Sequence, residues 1–163
     1  MLNAQKASAK LAMILCLFSI ALLSERGQAK VQRDALVEYR SLFMKIKNDH
    51  NVAVRKLTKR MPISAQERVS QMVTHADVLK KMAIEMTRLF PEGSGNGNSR
   101  ALKDVWDKEG NLSKQFVRKS GIMQAEAKVL STVAKDGNMK EIKKQVRKLA
   151  KSCQSCHADF REE

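Results

Sequence analysis

The chain has 163 residues, a formal net charge of +14 and an aromatic content of only 4%. The length suits one domain, and the few aromatic residues, without sustained apolar–polar alternation, argue against a β-sandwich. A basic chain attracts acidic proteins, anionic membrane surfaces or nucleic acid. The charges are spread along every segment rather than gathered into one run, which is typical of solvated helix faces.

The N-terminal segment has the pattern of a secretory signal peptide. Lys6 and Lys10 precede an apolar run at 11–23, and Gly27-Gln28-Ala29 follows as a small-x-small cleavage site. The run of about 13 residues is shorter than the roughly 20 needed to cross a bilayer, so we expect no stable membrane anchor. We predict a signal peptide at 1–29, one mature domain at 30–163 and a periplasmic location, where nucleic acid is not an expected partner.

The mature sequence is predicted to be helical, with breaks where turn-forming residues cluster. Pro62, the glycine-rich stretch 91–98 and Gly137 mark these breaks. Ser64 and Glu67 have the capping-box spacing that starts a helix. The predicted helices are 31–58, 65–89, 111–135 and 139–161, with a shorter helical piece at 100–108. Four amphipathic helices with mostly short links predict an all-α, antiparallel up-down-up-down four-helix bundle.

The last predicted helix carries Cys153-Gln154-Ser155-Cys156-His157, which is the C-x-x-C-H signature of covalent haem c attachment. With about 100° of rotation per residue, the two thiols and the imidazole lie within an arc of roughly 100° on one helix face. Two thiols one turn apart can each add to one haem vinyl group, while the imidazole binds the iron from the proximal side.

Three other interpretations of the cysteine pair exist. A redox dithiol normally lies at a helix N-terminus, where the dipole lowers a thiol pKa, whereas this pair lies near a C-terminus. A structural zinc site needs four ligands, and the mature chain has no second cysteine pair. A local disulfide would staple little within a regular helix. Covalent attachment of one haem c fits the motif, the predicted export and the helix phase together.

At this point the chain resembles the class II c-type cytochromes, the family that includes cytochrome c′. The resemblance is carried by 153–161 at the C-terminus, 39–46 in the first helix, 87–93 after the second helix, and 101–106. It implies a four-helix bundle around one haem, with His157 as the proximal iron ligand. It also implies two branches of the family: an electron carrier with a methionine as sixth ligand, or a five-coordinate haem that binds small gases.

The resemblance implies further site residues. Met44 matches the first-helix methionine and is interpreted as the distal iron ligand of a low-spin haem, the alternative being a core residue that only packs over the iron. Arg40, one turn earlier on the same face, is expected to pair with a haem propionate. Thr87 and Arg88 are expected near the propionates as well.

The leading functional hypothesis is a periplasmic one-electron carrier that is not an enzyme, because no acid–base cluster or phosphate loop is visible. The alternatives are a five-coordinate cytochrome c′ that binds gases such as nitric oxide, and a non-haem protein with an incidental cysteine pair.

Without residues 1–29 the charge is about +12, so acidic redox proteins are the expected partners. Relatives often form homodimers through the first two helices. His50 and His75 are expected at the surface.

Overall fold

The computed structural model describes the backbone of residues 2–95 and 99–162, and the side chains of residue 28 and of 30–95 and 99–162. Within these ranges the chain forms four α-helices and no strand. They are α1 (Leu2–Leu57), α2 (Ala65–Glu85), α3 (Lys114–Lys135) and α4 (Met139–Phe160). Two 3₁₀ helices, Met86–Leu89 and Lys103–Val105, lie in the link between α2 and α3.

Helix α1 is longer than the predicted helix 31–58, because it begins at Leu2. Residues 2–57 contain no proline and only one glycine, Gly27, so nothing in this stretch stops a helix. The chain divides into two compact units, Met1–Leu36 and Val37–Glu163. The signal peptide at 1–29 stays a prediction. Within the part of the chain described, no helix is long and apolar enough to cross a membrane.

The starts of the other helices follow from capping side chains. The Ser64 hydroxyl accepts from the Glu67 amide at 3.0 Å, as the capping-box spacing predicts. Ser113 caps α3, which therefore begins three residues later than predicted. Asn138 accepts from the first amides of α4, and Gly137 before it has a φ of 68° that favours glycine.

The core of the larger unit lies between the helices. α3 packs against α2 on one side and α4 on the other, and α1 adds its own buried face. Fully buried side chains come from all four helices; they include Val54, Met72, Leu130 and Ile142. The all-α four-helix prediction is therefore confirmed.

The predicted helical piece at 100–108 is wrong. Only Lys103–Val105 forms a 3₁₀ turn, and the segment around it is extended. Ala101 pairs with Arg161 in an antiparallel bridge, the Leu102 amide donates to Phe160 O at 3.0 Å, and the Glu162 amide donates to Arg100 O at 2.9 Å. This segment therefore ties down the C-terminal end of α4, a long-range pairing that no local sequence pattern indicates.

The surface of the larger unit differs from expectation at the two histidines. His50 on α1 and His75 on α2 are half-buried, and their Nδ1 atoms lie 2.8 Å apart. The expectation that both are exposed is therefore wrong. On α1, Tyr39, Leu42 and Ile46 are exposed and follow one another at helical spacing. They form an apolar face on one of the two helices through which relatives often form homodimers.

Candidate haem site

A cavity of about 260 Å³ lies between α1 and the C-terminal half of α4. α4 contributes Cys153, Cys156 and His157, so the three residues of the C-x-x-C-H motif face one space, as their helical spacing predicts. The rest of the lining is Val37, Arg40, Ser41, Met44, Lys47, Met86, Phe90, Arg100, Ala101, Phe116, Ser120, Met123, Phe160 and Arg161.

The chemistry of the three motif residues suits a covalent haem with an imidazole ligand. Both cysteines are free thiols and half-buried. Burial, reinforced by the positive charges of Arg161, Lys47 and Arg100, lowers the pKa of His157 to about 4. The imidazole is therefore neutral at pH 7 and keeps the lone pair that binding a metal requires. Burial also raises the pKa of Cys156, so its thiol is largely protonated in the folded chain.

α3 fixes the turn of α4 that carries the motif. Lys119 forms an ion pair with Asp159 and donates to the carbonyl oxygen of Ser155 at 2.8 Å. Gln115 donates to the same Asp159 carboxylate at 2.7 Å. The hydrogen bond from Lys119 lowers the pKa of Asp159. These contacts hold the residues on either side of His157, and sequence reasoning missed them because neither helix alone indicates its partner.

Aromatic side chains form one wall of the cavity. Phe160, one turn after the motif, packs edge-on against Phe116 of α3 with ring centroids 5.2 Å apart. Phe116 in turn packs edge-on against Phe90, at 4.8 Å. Trp106 stands behind Phe90 and donates from its indole nitrogen to the Phe90 carbonyl oxygen at 3.1 Å. A flat apolar group can pack against such a wall.

Arg40 is buried and lines the cavity, but its terminal nitrogens bind the protein. Nη1 donates to Leu89 O and Ser94 Oγ, both at 3.2 Å, and Nη2 donates to Ser94 O at 2.9 Å and Ser99 Oγ at 2.6 Å. The guanidinium also lies 4.6 Å from the Phe90 ring centroid. All four terminal N–H groups are thus used to hold the loop after α2. Only the Nε–H group of Arg40 is left to bind a haem propionate. The pairing of Arg40 with a propionate stays a prediction.

Thr87 and Arg88 do not line the cavity, and their expected place near the propionates stays a prediction. They lie on the 3₁₀ helix Met86–Leu89, which directs Met86 inwards and leaves Arg88 exposed. Arg88 instead forms an ion pair with Glu85 at 2.8 Å.

Two cations that sequence reasoning missed, Arg100 and Arg161, do line the cavity. Arg161 is the first residue after α4 and follows the haem motif by four residues, a proximity in the chain that could have indicated it. Arg100 reaches the site through the pairing with the chain end.

Met44 lies in the α1 wall, as the sequence predicts, and it is half-buried against the core. Its side chain also lines a second cavity of about 190 Å³. The residues that line both cavities are Met44, Lys47, Met123, Cys153 and His157. The two spaces are therefore adjacent and share the side chains expected on both sides of a haem.

The cavity walls also contain polar atoms that the protein leaves unsatisfied. Ser120 Oγ in the first cavity and Asn51 Oδ1 in the second are buried without a hydrogen-bond partner among the residues described. Buried polar groups are normally paired. The site suits a covalently bound haem, because it combines two thiols, a neutral imidazole, an aromatic wall and these free polar atoms. Cys153 and Cys156 would hold the haem, and His157 would face the iron.

The bundle and the motif at the end of its last helix define a class II c-type cytochrome. The family model for cytochrome c′ matches residues 35–161, and the chain belongs to that family. The family binds a covalent haem c, which confirms the predicted cofactor.

Individual relatives agree with this assignment. Cytochrome c′ of Pararhodospirillum photometricum is 28% identical over 131 residues, which are 79% of this chain and 98% of the relative. The structure of cytochrome c prime from Shewanella frigidimarina has a TM-score of 0.68 at 23% identity, covering 80% of this chain and 97% of that one. A nitric oxide complex of a variant cytochrome c prime from Alcaligenes xylosoxidans has a TM-score of 0.68 at 20% identity, covering 80% and 96%.

Removal of both motif thiols should release the haem. In a host that matures c-type haem, the wild-type chain should keep its haem in acidified organic solvent, because thioether bonds survive unfolding. The double variant Cys153→Ala, Cys156→Ala should lose it, whereas Cys16→Ala, in the predicted signal peptide, should not. Release from the wild-type chain would contradict covalent attachment.

Arg40→Met should destabilise the haem-loaded protein, because a charged hydrogen-bond donor typically contributes about 1.5–3 kcal/mol and several acceptors are left buried. We expect the free energy of unfolding in urea to fall by about 3 kcal/mol. The control is Arg88→Met on the same loop, which removes one exposed ion pair and should cost no more than about 0.5 kcal/mol. Equal effects of the two variants would argue against the role of Arg40 in holding the loop.

Proposed function

We propose that this protein is a periplasmic, monohaem cytochrome c′ that binds small gases such as nitric oxide at the haem iron and is not an enzyme. The observation that carries the proposal is the shared cavity, where Cys153, Cys156 and His157 of α4 face the α1 wall. When bound, the haem supplies one-electron chemistry and an iron that binds diatomic gases. The chain supplies the attachment, the neutral imidazole and a largely apolar enclosure.

Gas binding is preferred over the leading sequence hypothesis for two reasons. The nitric oxide complex from Alcaligenes xylosoxidans belongs to a protein with the same bundle. The matching family model and the relative from Pararhodospirillum photometricum are both described as cytochrome c′. A five-coordinate iron therefore fits the family better than ligation by Met44, and the periplasmic location agrees with the signal-like segment at 1–29.

The second candidate is a one-electron carrier whose sixth ligand is Met44. One observation favours it: Met44 and His157 line the same two cavities from opposite helices. A thioether ligand favours ferrous iron and would close the position that a gas needs. Met123 lines the same cavities and is the other methionine that could take this role.

The two candidates differ in the spectra of the haem-loaded protein. We expect a high-spin spectrum that shifts when carbon monoxide is added to the reduced protein. Met44→Leu keeps an apolar side chain of similar volume and should leave the high-spin spectrum unchanged; Met123→Leu is the matched control.

A low-spin wild-type protein that ignores carbon monoxide would contradict gas binding. If Met44→Leu alone then became high-spin, the electron carrier would be the correct function.

The proposed reductant of the haem is an acidic redox protein. A surface groove along α1 and α4 is lined by five cations and no carboxylate among the residues described, namely Arg55, Lys59, Lys143, Arg147 and Lys151. Arg55, Ala150 and Gln154 belong both to this groove and to the second cavity. The groove therefore reaches the haem motif, and an acidic partner bound there would be close to the haem.

Charge reversal in the groove should slow reduction by an acidic donor such as reduced flavodoxin. For Arg147→Glu, Lys151→Glu we expect the second-order rate at low salt to fall at least about tenfold, because electrostatic steering is lost. Lys114→Glu, Lys128→Glu makes the same change of charge on α3, outside the groove, and should have a smaller effect. Wild-type rates should also fall as salt rises. Equal rates for the two double variants would contradict docking in the groove.

A further inference from the structure

Lys47 is a lysine enclosed in the haem site. Its side chain is 8% exposed, and it lines both cavities that contain His157. Its Nζ lies 3.0 Å from Met123 Sδ. A thioether sulfur is only a weak acceptor, so the N–H groups of Lys47 are poorly satisfied.

The neighbouring lysine on α1 shows how unusual this is. Lys45, two residues earlier, is exposed and forms an ion pair with Asp49 at 2.8 Å. Lys47 instead continues the inward-facing row of Arg40 and Met44. No carboxylate lines either cavity within the described ranges. A buried cation without an anionic partner is costly, so the fold holds Lys47 at an energetic disadvantage.

The position of Lys47 separates it from the cations expected at the propionates. Burial lowers the pKa of Lys47, and the residues that act against this lowering are Cys153 and Cys156 of the haem motif. These cysteines bind the vinyl groups, which lie away from the propionates on the porphyrin. A thioether carries no charge, so attachment of the haem through both cysteines gives the Lys47 amino group no anionic partner. Arg100 and Arg161 line the first cavity as well but, unlike Lys47, they are exposed.

We propose that Lys47 determines ligand specificity at this haem: its Nζ donates a hydrogen bond to the group bound at the sixth iron position and favours anionic or polarised ligands. The inference rests on the proposed function, because it needs an open sixth position. The amino group keeps N–H donors whether or not it is charged, so the hydrogen bond does not depend on its protonation, while a positive charge adds attraction for anions.

The test compares Lys47→Met with Lys45→Met in the haem-loaded protein. Methionine keeps the apolar stem and removes the donor, and the control makes the same charge change at an exposed position of α1. In Lys47→Met we expect the dissociation constant of azide for the ferric protein to rise at least about tenfold, as for loss of a charge-assisted hydrogen bond. The C–O stretching frequency of the ferrous carbon monoxide complex should also rise. Neither quantity should change in Lys45→Met.

Lys47→Arg retains a buried donor and should keep both values close to wild type. If the wild-type protein binds azide and carbon monoxide but Lys47→Met leaves both values unchanged, the role of Lys47 is refuted while the proposed function stands. If the wild-type iron binds neither ligand, the sixth position is closed, and the proposed function and this inference are both overturned.

Discussion

The haem must form two thioether bonds and accept one imidazole ligand from residues on little more than one turn of a single helix. α4 meets this constraint through the spacing of Cys153, Cys156 and His157. The turn itself must then be held still, since a small rotation would misplace all three side chains. Lys119 of α3 holds it through an ion pair with Asp159 of α4, and the pairing of 100–102 with the chain end holds the last residues of the helix. The long link between α2 and α3 is therefore part of the site.

The cations around the cavity have different tasks. Arg40 donates hydrogen bonds from its terminal N–H groups to Leu89, Ser94 and Ser99 and so orders the loop after α2. Arg100 and Arg161 are exposed at the cavity wall, and Arg100 donates from Nη2 to the Glu162 carbonyl oxygen at 2.6 Å. Burial lowers the pKa of His157, and the charges of Arg161, Lys47 and Arg100 lower it further. A surplus of positive charge also suits a group that brings two carboxylates of its own.

Local sequence patterns predicted what is local in this structure. The helices of the bundle, the cap at Ser64 and the common face of the haem motif each depend on residues close together in the chain, and all are observed. The failures involve long-range contacts. The segment 100–108 is extended because it pairs with the chain end, and His50 faces His75 because α1 packs on α2. Arg40 was correctly placed at the cavity, but its hydrogen-bond partners lie 49–59 residues away.

The wall formed by α1 sets the chemistry that the haem can perform. Its inward-facing row presents Arg40, Met44 and Lys47 to the same cavity. Iron ligation by Met44 and ligand binding beside Lys47 would exclude each other. A methionine bound to the iron would exclude a gas, and Lys47 would then be a buried charge with no ligand to bind. If the sixth iron position is open, Lys47 can bind the ligand there, and Met44 only packs against the core. Because an unpaired buried cation is costly to maintain, the presence of Lys47 in both cavities lined by His157 favours a site that receives polar ligands over a closed electron carrier.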